Sequence, residues 1–302
     1  MDKTTTQIPA GSVVVGVDGS THAAEAVTWA ADQAAAEGRR LVLLHAADPL
    51  STQNSMWLTS MAVDPTAVRH DIETTGRDLL GRTAAAVRST HPAVEVVELL
   101  RLVDPREALL EASAHAALVV VGSHGRGPVG SLVLGSVGVA LSRQAHGPVV
   151  VVRPARSGAE RHGVLVGVDG TERSLPALEA AYRHASVRGL SLTVVHCFWD
   201  VVAATAGPHV VSLTADGLDD VRRLVAESIA GLSEKFPDVD ATVELARGLA
   251  EEVLGRESAA RDLVVVGHRQ RPGAVTSLLR GSVSTAVVEH ADCPVLVVPD
   301  PV

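Results

Sequence analysis

"VVVGVDGSTHAAEAVTWAADQAAAEGRRLVLLHA" (13–46) sets two apolar runs on either side of a longer alanine-rich stretch. Residues 13–17 and 41–45 are rich in Val and Leu, the composition of strands buried on both faces of a parallel sheet. "DGS" (18–20) supplies turn chemistry. Residues 21–37 carry apolar positions at helical period and run into Gly38, a residue suited to closing a helix in the left-handed conformation. Strand, helix and strand in succession make a βαβ unit. The pattern continues, predicting further strands near 94–100, 118–121 and 148–152, and helices over about 64–90, 105–116 and 136–146.

The unit recurs. "VVVGVDGS" (13–20) returns as "VLVGVDGT" (164–171) and "LVLLHA" (41–46) as "LTVVHC" (192–197), both at an offset of 151. Further on, "ALVVVGSHG" (117–125) returns as "DLVVVGHRQ" (262–270), "LGSVGVAL" (134–141) as "RGSVSTAV" (280–287) and "HGPVVVVRP" (146–154) as "DCPVLVVPD" (292–300), at an offset of 145 to 146. A period of ~150 residues is too long for a solenoid and marks two whole domains. The expected domains are 1–155 and 160–302, joined by the small, polar "ARSGAER" (155–161). Each should be an α/β domain with five parallel strands, doubly wound, binding its ligand beyond the carboxyl ends of the strands. In the second copy Ser174 reads as the N-cap of the first helix, with Pro176 in its first turn.

Composition agrees and excludes. In 302 residues, 46% are hydrophobic but only 2% aromatic, so the cores must be built from Val, Leu and Ala. The net charge is −9 and the only lysines are Lys3 and Lys235, which leaves no basic stripe for nucleic acid or for an anionic membrane. "MDKTTTQIPAGS" (1–12) has no apolar signal region and no run reaches the ~18 apolar residues of a membrane span. The expectation is a soluble, cytoplasmic protein. Cys197 and Cys293 have no metal or redox spacing and read as small buried residues.

"GSHGRGPVGSLVLGS" (122–136) is the stretch that carries chemistry. It holds five glycines at the end of a predicted strand, and no Asp or Glu occurs from Ala112 to Ala159. Exposed main-chain N–H groups, a helix N-terminus, His124, Arg126 and Arg143 together suit phosphate. A Walker loop is excluded because no Lys precedes the Ser. "GRGPVG" (125–130) spells G-x-G-x-x-G, but no acidic residue follows at the spacing a dinucleotide ribose requires. A third spelling, G-x2-G-x9-G-S, is met by Gly122, Gly125, Gly135 and Ser136. Asp18 reads two ways, as an Asx turn that starts a helix or as a ligand contact, and its recurrence as Asp169 favours the second. His45 and His196 also recur, and read as hydrogen-bonded filler at a strand end.

With "VVVGVDGS", "LLHA", "LVVVGSHGRG", "GSV" and "GPVVVV" in this order, nearly the whole chain resembles a tandem universal stress protein. The resemblance implies Rossmann-like domains of the adenine nucleotide alpha hydrolase type that bind ATP, with Mg2+ as an optional companion, and pair through their last strands in a homodimer or within one chain. It also implies a role in stress signalling. Under it, Gly16, Val17 and Asp18 lie against the nucleoside and Ala46 lines the adenine. Val121, Gly122, His124, Gly125 and Arg126 form the first phosphate loop, while Gly135, Ser136, Val137 and Gly138 hold phosphate from the last helix. Gly138 stands where the family commonly has Ser or Thr. The counterparts in the second copy are Gly167, Val168, Asp169, Gly267, Gly281, Ser282 and Val283.

That copy departs from the motif. Gln270 replaces Gly125, and one extra residue separates Gly267 from Gly281. If the Gly125 position needs a positive φ, a side chain there is strained. Against turnover stand the lack of a carboxylate in the phosphate segment and of an acid–base pair shared by both copies. The leading expectation is an ATP-binding regulatory module; a slow ATPase or nucleotidyl-transfer enzyme and a nucleotide-free scaffold are the alternatives.

Overall fold

The computed structural model describes residues 7–48, 64–125, 134–153, 162–199, 207–211, 218–269 and 283–300. The chain divides into two compact units, Met1–Val152 and Arg153–Val302. The linker expected at 155–161 lies outside the described residues.

The first unit runs β1 (Val13–Gly16), α1 (Thr21–Glu37), β2 (Leu41–Ala46), α2 (Pro65–Thr90), β3 (Val96–Arg101), α3 (Pro105–Ser113), β4 (Leu118–Gly122), α4 (Ser136–Gln144) and β5 (Val149–Val152). Its five strands are parallel, in the order β3-β2-β1-β4-β5. The strand order reverses between β1 and β4, which places a topological switch point at their carboxyl ends. The strand interiors are sealed on both faces: Val13, Val14, Val15, Val119, Val120 and Val149 to Val151 have no exposed surface.

Helix α1 shows how the sequence specifies this packing. The Ser20 side chain accepts from the Ala23 N–H at 3.1 Å and caps the helix, and Gly38 closes it at φ 62°. Ala23, Ala26, Val27, Ala30, Ala31 and Ala34 lie buried at the i, i+3, i+4 spacing. Small side chains on that stripe let the helix lie close to the sheet. Asp64 and Asp104 likewise cap α2 and α3 by accepting from the N–H two residues on, at 2.9 and 2.8 Å. Helix α4 stops at Gln144, two residues short of the expected end, because Ala145 turns extended ahead of Gly147 and Pro148. The His146 N–H is taken instead by the Ser113 hydroxyl.

The second unit repeats the design: β6 (Val164–Val168), a 3-10 turn (Glu172–Ser174), α5 (Leu175–Arg188), β7 (Leu192–Phe198), β8 (His209–Val211), α6 (Asp219–Ile229), α7 (Leu232–Lys235), β9 (Ala241–Arg247), α8 (Ala250–Glu257), β10 (Leu263–His268), α9 (Val283–His290) and β11 (Val295–Pro299). The strand order is β11-β10-β6-β7-β9-β8. Five strands are parallel as expected. The sixth, β8, is three residues long and pairs antiparallel along the outer edge of β9. It was not expected from the sequence, because "HVV" is too short to show a period. Among the described residues no helix is long and apolar enough to cross a membrane.

Candidate functional site

The residues singled out by the glycine motif in the first unit gather at the switch point. Strand β1 leaves the sheet through Val17 and Asp18. The Val17 N–H is held by Leu44 at 2.9 Å, and its carbonyl accepts from Nδ1 of His45 at 2.6 Å. His45 therefore serves as hydrogen-bonded support for the strand end, as read from sequence, and His196 repeats the contact to Val168 at 3.1 Å. Asp18 forms the Asx turn, its Oδ1 accepting from the Ser20 N–H at 2.9 Å, with Gly19 at φ 81°. Its Oδ2 has no partner among the described residues and faces Gly125. Ala46 ends β2, two residues beyond the Gly16–Leu44 pair.

Strand β4 enters the same place through Val121 and Gly122. A Cβ on Gly122 would stand 2.6 Å from the main-chain oxygen of His22, so this glycine exists to let α1 abut the strand end. Gly16 and Gly138 are packing glycines too: a Cβ would meet Leu109 at 3.3 Å and Leu134 at 2.8 Å respectively. Gly125 and Gly135 differ. At Gly125 the nearest atom to a Cβ would be Oδ2 of Asp18, at 2.7 Å. Gly135 donates its N–H to the Ser123 carbonyl at 2.9 Å, which pins the two ends of the loop together.

The positive φ considered for Gly125 is not found: among the described residues of this unit the left-handed glycines are Gly11, Gly19 and Gly38. Glycine stands at Gly125 for room beside a carboxylate. Helix α4 opens on Ser136, Val137 and Gly138 with no side chain capping it and no acid in its first turn. Among the described residues no side-chain cap is made to the N–H groups that a helix start leaves over. His124 sits at the mouth, with Nδ1 3.1 Å from the Ser123 hydroxyl and its ring 5.2 Å from that of His22. Arg126 lies outside the described residues.

Two features of this site were not read from sequence. One is His22, which a helical period gave no reason to connect with a loop a hundred residues later. The other is Ser123, which acts through its main-chain carbonyl, a group every residue has.

In the second unit the same scaffold is filled differently. A Cβ on Gly167 would meet Leu254 at 2.7 Å, whereas Gly267 has nothing nearer than Ala177 at 3.9 Å. Ser174 was expected to cap α5, but its hydroxyl turns back instead. It donates to Oδ1 of Asp169 at 2.7 Å and accepts from the Asp169 N–H at 3.0 Å. The intervening 3-10 turn explains the change, because it brings Ser174 against the turn before it.

Thr171 adds its N–H and hydroxyl to the same oxygen, and Arg269 stands 3.7 Å from the other. Burial raises the Asp169 carboxyl, but the Ser174 and Thr171 bonds and the Arg269 charge outweigh it and hold it below the usual range. His268, the counterpart of Ser123, extends β10 one residue past Gly267, and its Nδ1 lies 2.8 Å from the Ser284 hydroxyl of α9. Val283 opens that helix and is exposed, while Gly281 and Ser282, with the loop from Gln270 onward, lie outside the described residues.

Comparison with known proteins follows the same two-part division. Residues 10–153 and 160–299 each match the model of the Universal stress protein family. A universal stress protein of Mycolicibacterium smegmatis is 34% identical over 294 residues, covering 95% of this chain and 96% of that one. Universal stress protein Rv2005c of Mycobacterium tuberculosis is 33% identical over 297 residues, covering 94% and 96%. Among solved structures, a universal stress protein from Archaeoglobus fulgidus has a TM-score of 0.67 at 18% identity and covers 97% of each chain. The structural likeness bears on the fold, which is Rossmann-like in both halves.

Proposed function

The chain belongs to the universal stress protein family, and on that footing we propose that it is an ATP-binding regulatory module whose first half holds the nucleotide. The observation that carries this reading is the convergence at one switch point of three features: a start of α4 with no side-chain cap, a Gly125–Gly135 sequence without carboxylates, and an Asp18 oxygen with no partner among the described residues. Phosphate oxygens accept hydrogen bonds and carry negative charge, so they suit the N–H groups and dipole of a helix start. Ribose hydroxyls donate, so they suit Asp18. His124 at the mouth adds a donor for the outer phosphates. The donor set fits an adenine nucleotide. For Mg2+ it offers only Asp18, since no group of three His, Cys, Asp or Glu gathers to hold an ion among the described residues. A metal would therefore enter on the phosphates.

We read the site as one for binding rather than rapid turnover. The second half, with Asp169 already engaged by Thr171, Ser174 and Arg269, supports a weaker or structural role there. Native mass spectrometry and calorimetry on the intact chain test the reading. One ATP per chain is expected, lost on Gly135→Val, whose added methyls enter the loop pinned to Ser123. Hydrolysis should stay far below the ~1–10 per second of ordinary enzymes. Unchanged ATP affinity in Gly135→Val, or steady turnover in that range, overturns it.

A further inference from the structure

The nucleotide reading leaves one group at the mouth without a role. His22 is the second residue of α1, and its ring lies 5.2 Å from that of His124, inclined by 50°. Its main chain is fixed against Gly122, so the ring is carried to this place by the closest packing contact of the site. Among the described residues no hydrogen bond holds the His22 ring.

The internal repeat shows what the two positions have in common. At the offset of 151 His22 becomes Arg173, and at the offset of 145 His124 becomes Arg269. Both places keep a nitrogen-bearing, cation-forming side chain while changing its kind. A packing position would keep shape, and a place beside a neutral sugar has no use for two cations. An anion site keeps charge. The difference in kind also matters: a guanidinium is always charged, whereas histidine is the side chain that ordinarily gains its charge between pH 5 and 8.

We propose that His22 is a further phosphate ligand and that it forms with His124 a proton-dependent clamp on the polyphosphate of a nucleotide bound in the first half. The inference rests on the nucleotide reading given above. Among the described residues, the acidic groups within about one helical turn of either histidine along the chain are two. Asp18 comes from the β1–α1 turn and Glu25 lies one turn along α1. β4 and β5 end in the uncharged Gly122 and Val152, and α4 opens on Ser136. A polyphosphate between the rings favours imidazolium over imidazole, so protons are taken up as the nucleotide binds and affinity rises as pH falls.

The test is calorimetry of the intact chain with ATP and with AMP from pH 8 to pH 5.5, for the unaltered protein, His22→Gln, His124→Gln and the double His22→Arg/His124→Arg. Phosphate itself has a pKa near 6, so slopes are compared between chains in the same buffers rather than read alone. The unaltered chain is expected to tighten on ATP by roughly tenfold more than either Gln variant, since a charged hydrogen bond is about twice as strong as a neutral one. The double Arg chain is expected to bind as tightly at pH 8 as the unaltered chain does at pH 5.5, and with no greater slope than the Gln variants. AMP should show a smaller effect than ATP.

ATP binding with the same slope in His22→Gln as in the unaltered chain overturns the clamp and leaves the nucleotide site standing. Absence of ATP binding in every chain at every pH overturns both. Thermal melts of each variant at each pH show whether a change in affinity comes with a change in fold.

Discussion

Gly125→Ala separates the site from the scaffold. The added Cβ would stand 2.7 Å from Oδ2 of Asp18, where ordinary contact begins at 3.4 Å. The obstructing atom is the end of a side chain, so Asp18 can rotate away and the fold survives. Gly125 is itself exposed, and the stability change should stay within about 0.5 kcal/mol. Rotation, however, takes the carboxylate from the place where a ribose hydroxyl would meet it. Its bond to the Ser20 N–H is strained by the same movement. One hydrogen bond to a charged group is worth about 1.5–3 kcal/mol, so ATP affinity should fall roughly ten- to a hundredfold.

Gly122→Ala is the control. There the Cβ meets a main-chain oxygen at 2.6 Å and a main-chain carbon at 2.7 Å, neither of which can rotate aside. Overpacking of that kind costs about 1–3 kcal/mol, read as a fall in melting temperature. Calorimetry and thermal melts on both variants decide the matter. Unaltered ATP affinity in a folded Gly125→Ala chain would refute the placement of Asp18 beside the nucleoside.

Two further expectations concern groups away from the phosphate loop. Burial lowers the pKa of His196, more than its bond to Val168 and the Asp169 charge raise it, so the unfolded chain binds this proton more readily than the folded one. The stability it contributes is full above the ordinary value near 6.5 and is lost as pH falls from there through the lower folded value; melts from pH 7.5 to 5 should show a decline that His196→Gln flattens, and equal slopes in the two chains would contradict it. Burial, with the Glu251 charge adding to it, pushes the Cys197 thiol up to about 12, so iodoacetamide at pH 8 should leave Cys197 unlabelled in the native chain and label it in urea; rapid native labelling would count against this environment.

The fold was legible because its determinants are local. Buried Val runs, a Ser20 cap and a Gly38 terminus each declare themselves within a few residues, and the repeat declares the Val runs and the closing glycine a second time, at Gly189. The site was legible as a set of positions but not as a set of roles. Sequence shows that Gly16, Gly122, Gly125 and Gly138 are glycines; it does not show whether a glycine serves dihedral freedom, packing or access. Here the left-handed angles fall on turn glycines such as Gly19 and Gly38, while the motif glycines are there for space. Three of them make that space for the protein's own Leu109, His22 and Leu134, and Gly125 makes it for Asp18. Ser174 was misread for a related reason. A serine before a helix can bond forward or backward, and the choice depends on a 3-10 turn with no signature of its own.

The contrast between Asp18 and Asp169 is the ground for predicting that the first half binds ATP more tightly than the second. Both carboxylates follow a buried strand and both accept from the N–H two residues on. Among the described residues Asp18 stops there, with its other oxygen unengaged. Asp169 also takes the hydroxyls of Thr171 and Ser174, with a guanidinium at 3.7 Å. A ribose arriving at Asp169 must displace donors already in place, and offers in return neutral hydroxyls of the same kind. The exchange gains little, whereas at Asp18 the same hydroxyls replace only water. Asp169 is half exposed, so each displaced bond counts at the low end of its usual range, yet there are two of them before the altered loop is considered. The ranking of the halves, first above second, therefore rests on a carboxylate that is satisfied in advance, and it would hold even if the arginines of the second loop still attracted phosphate.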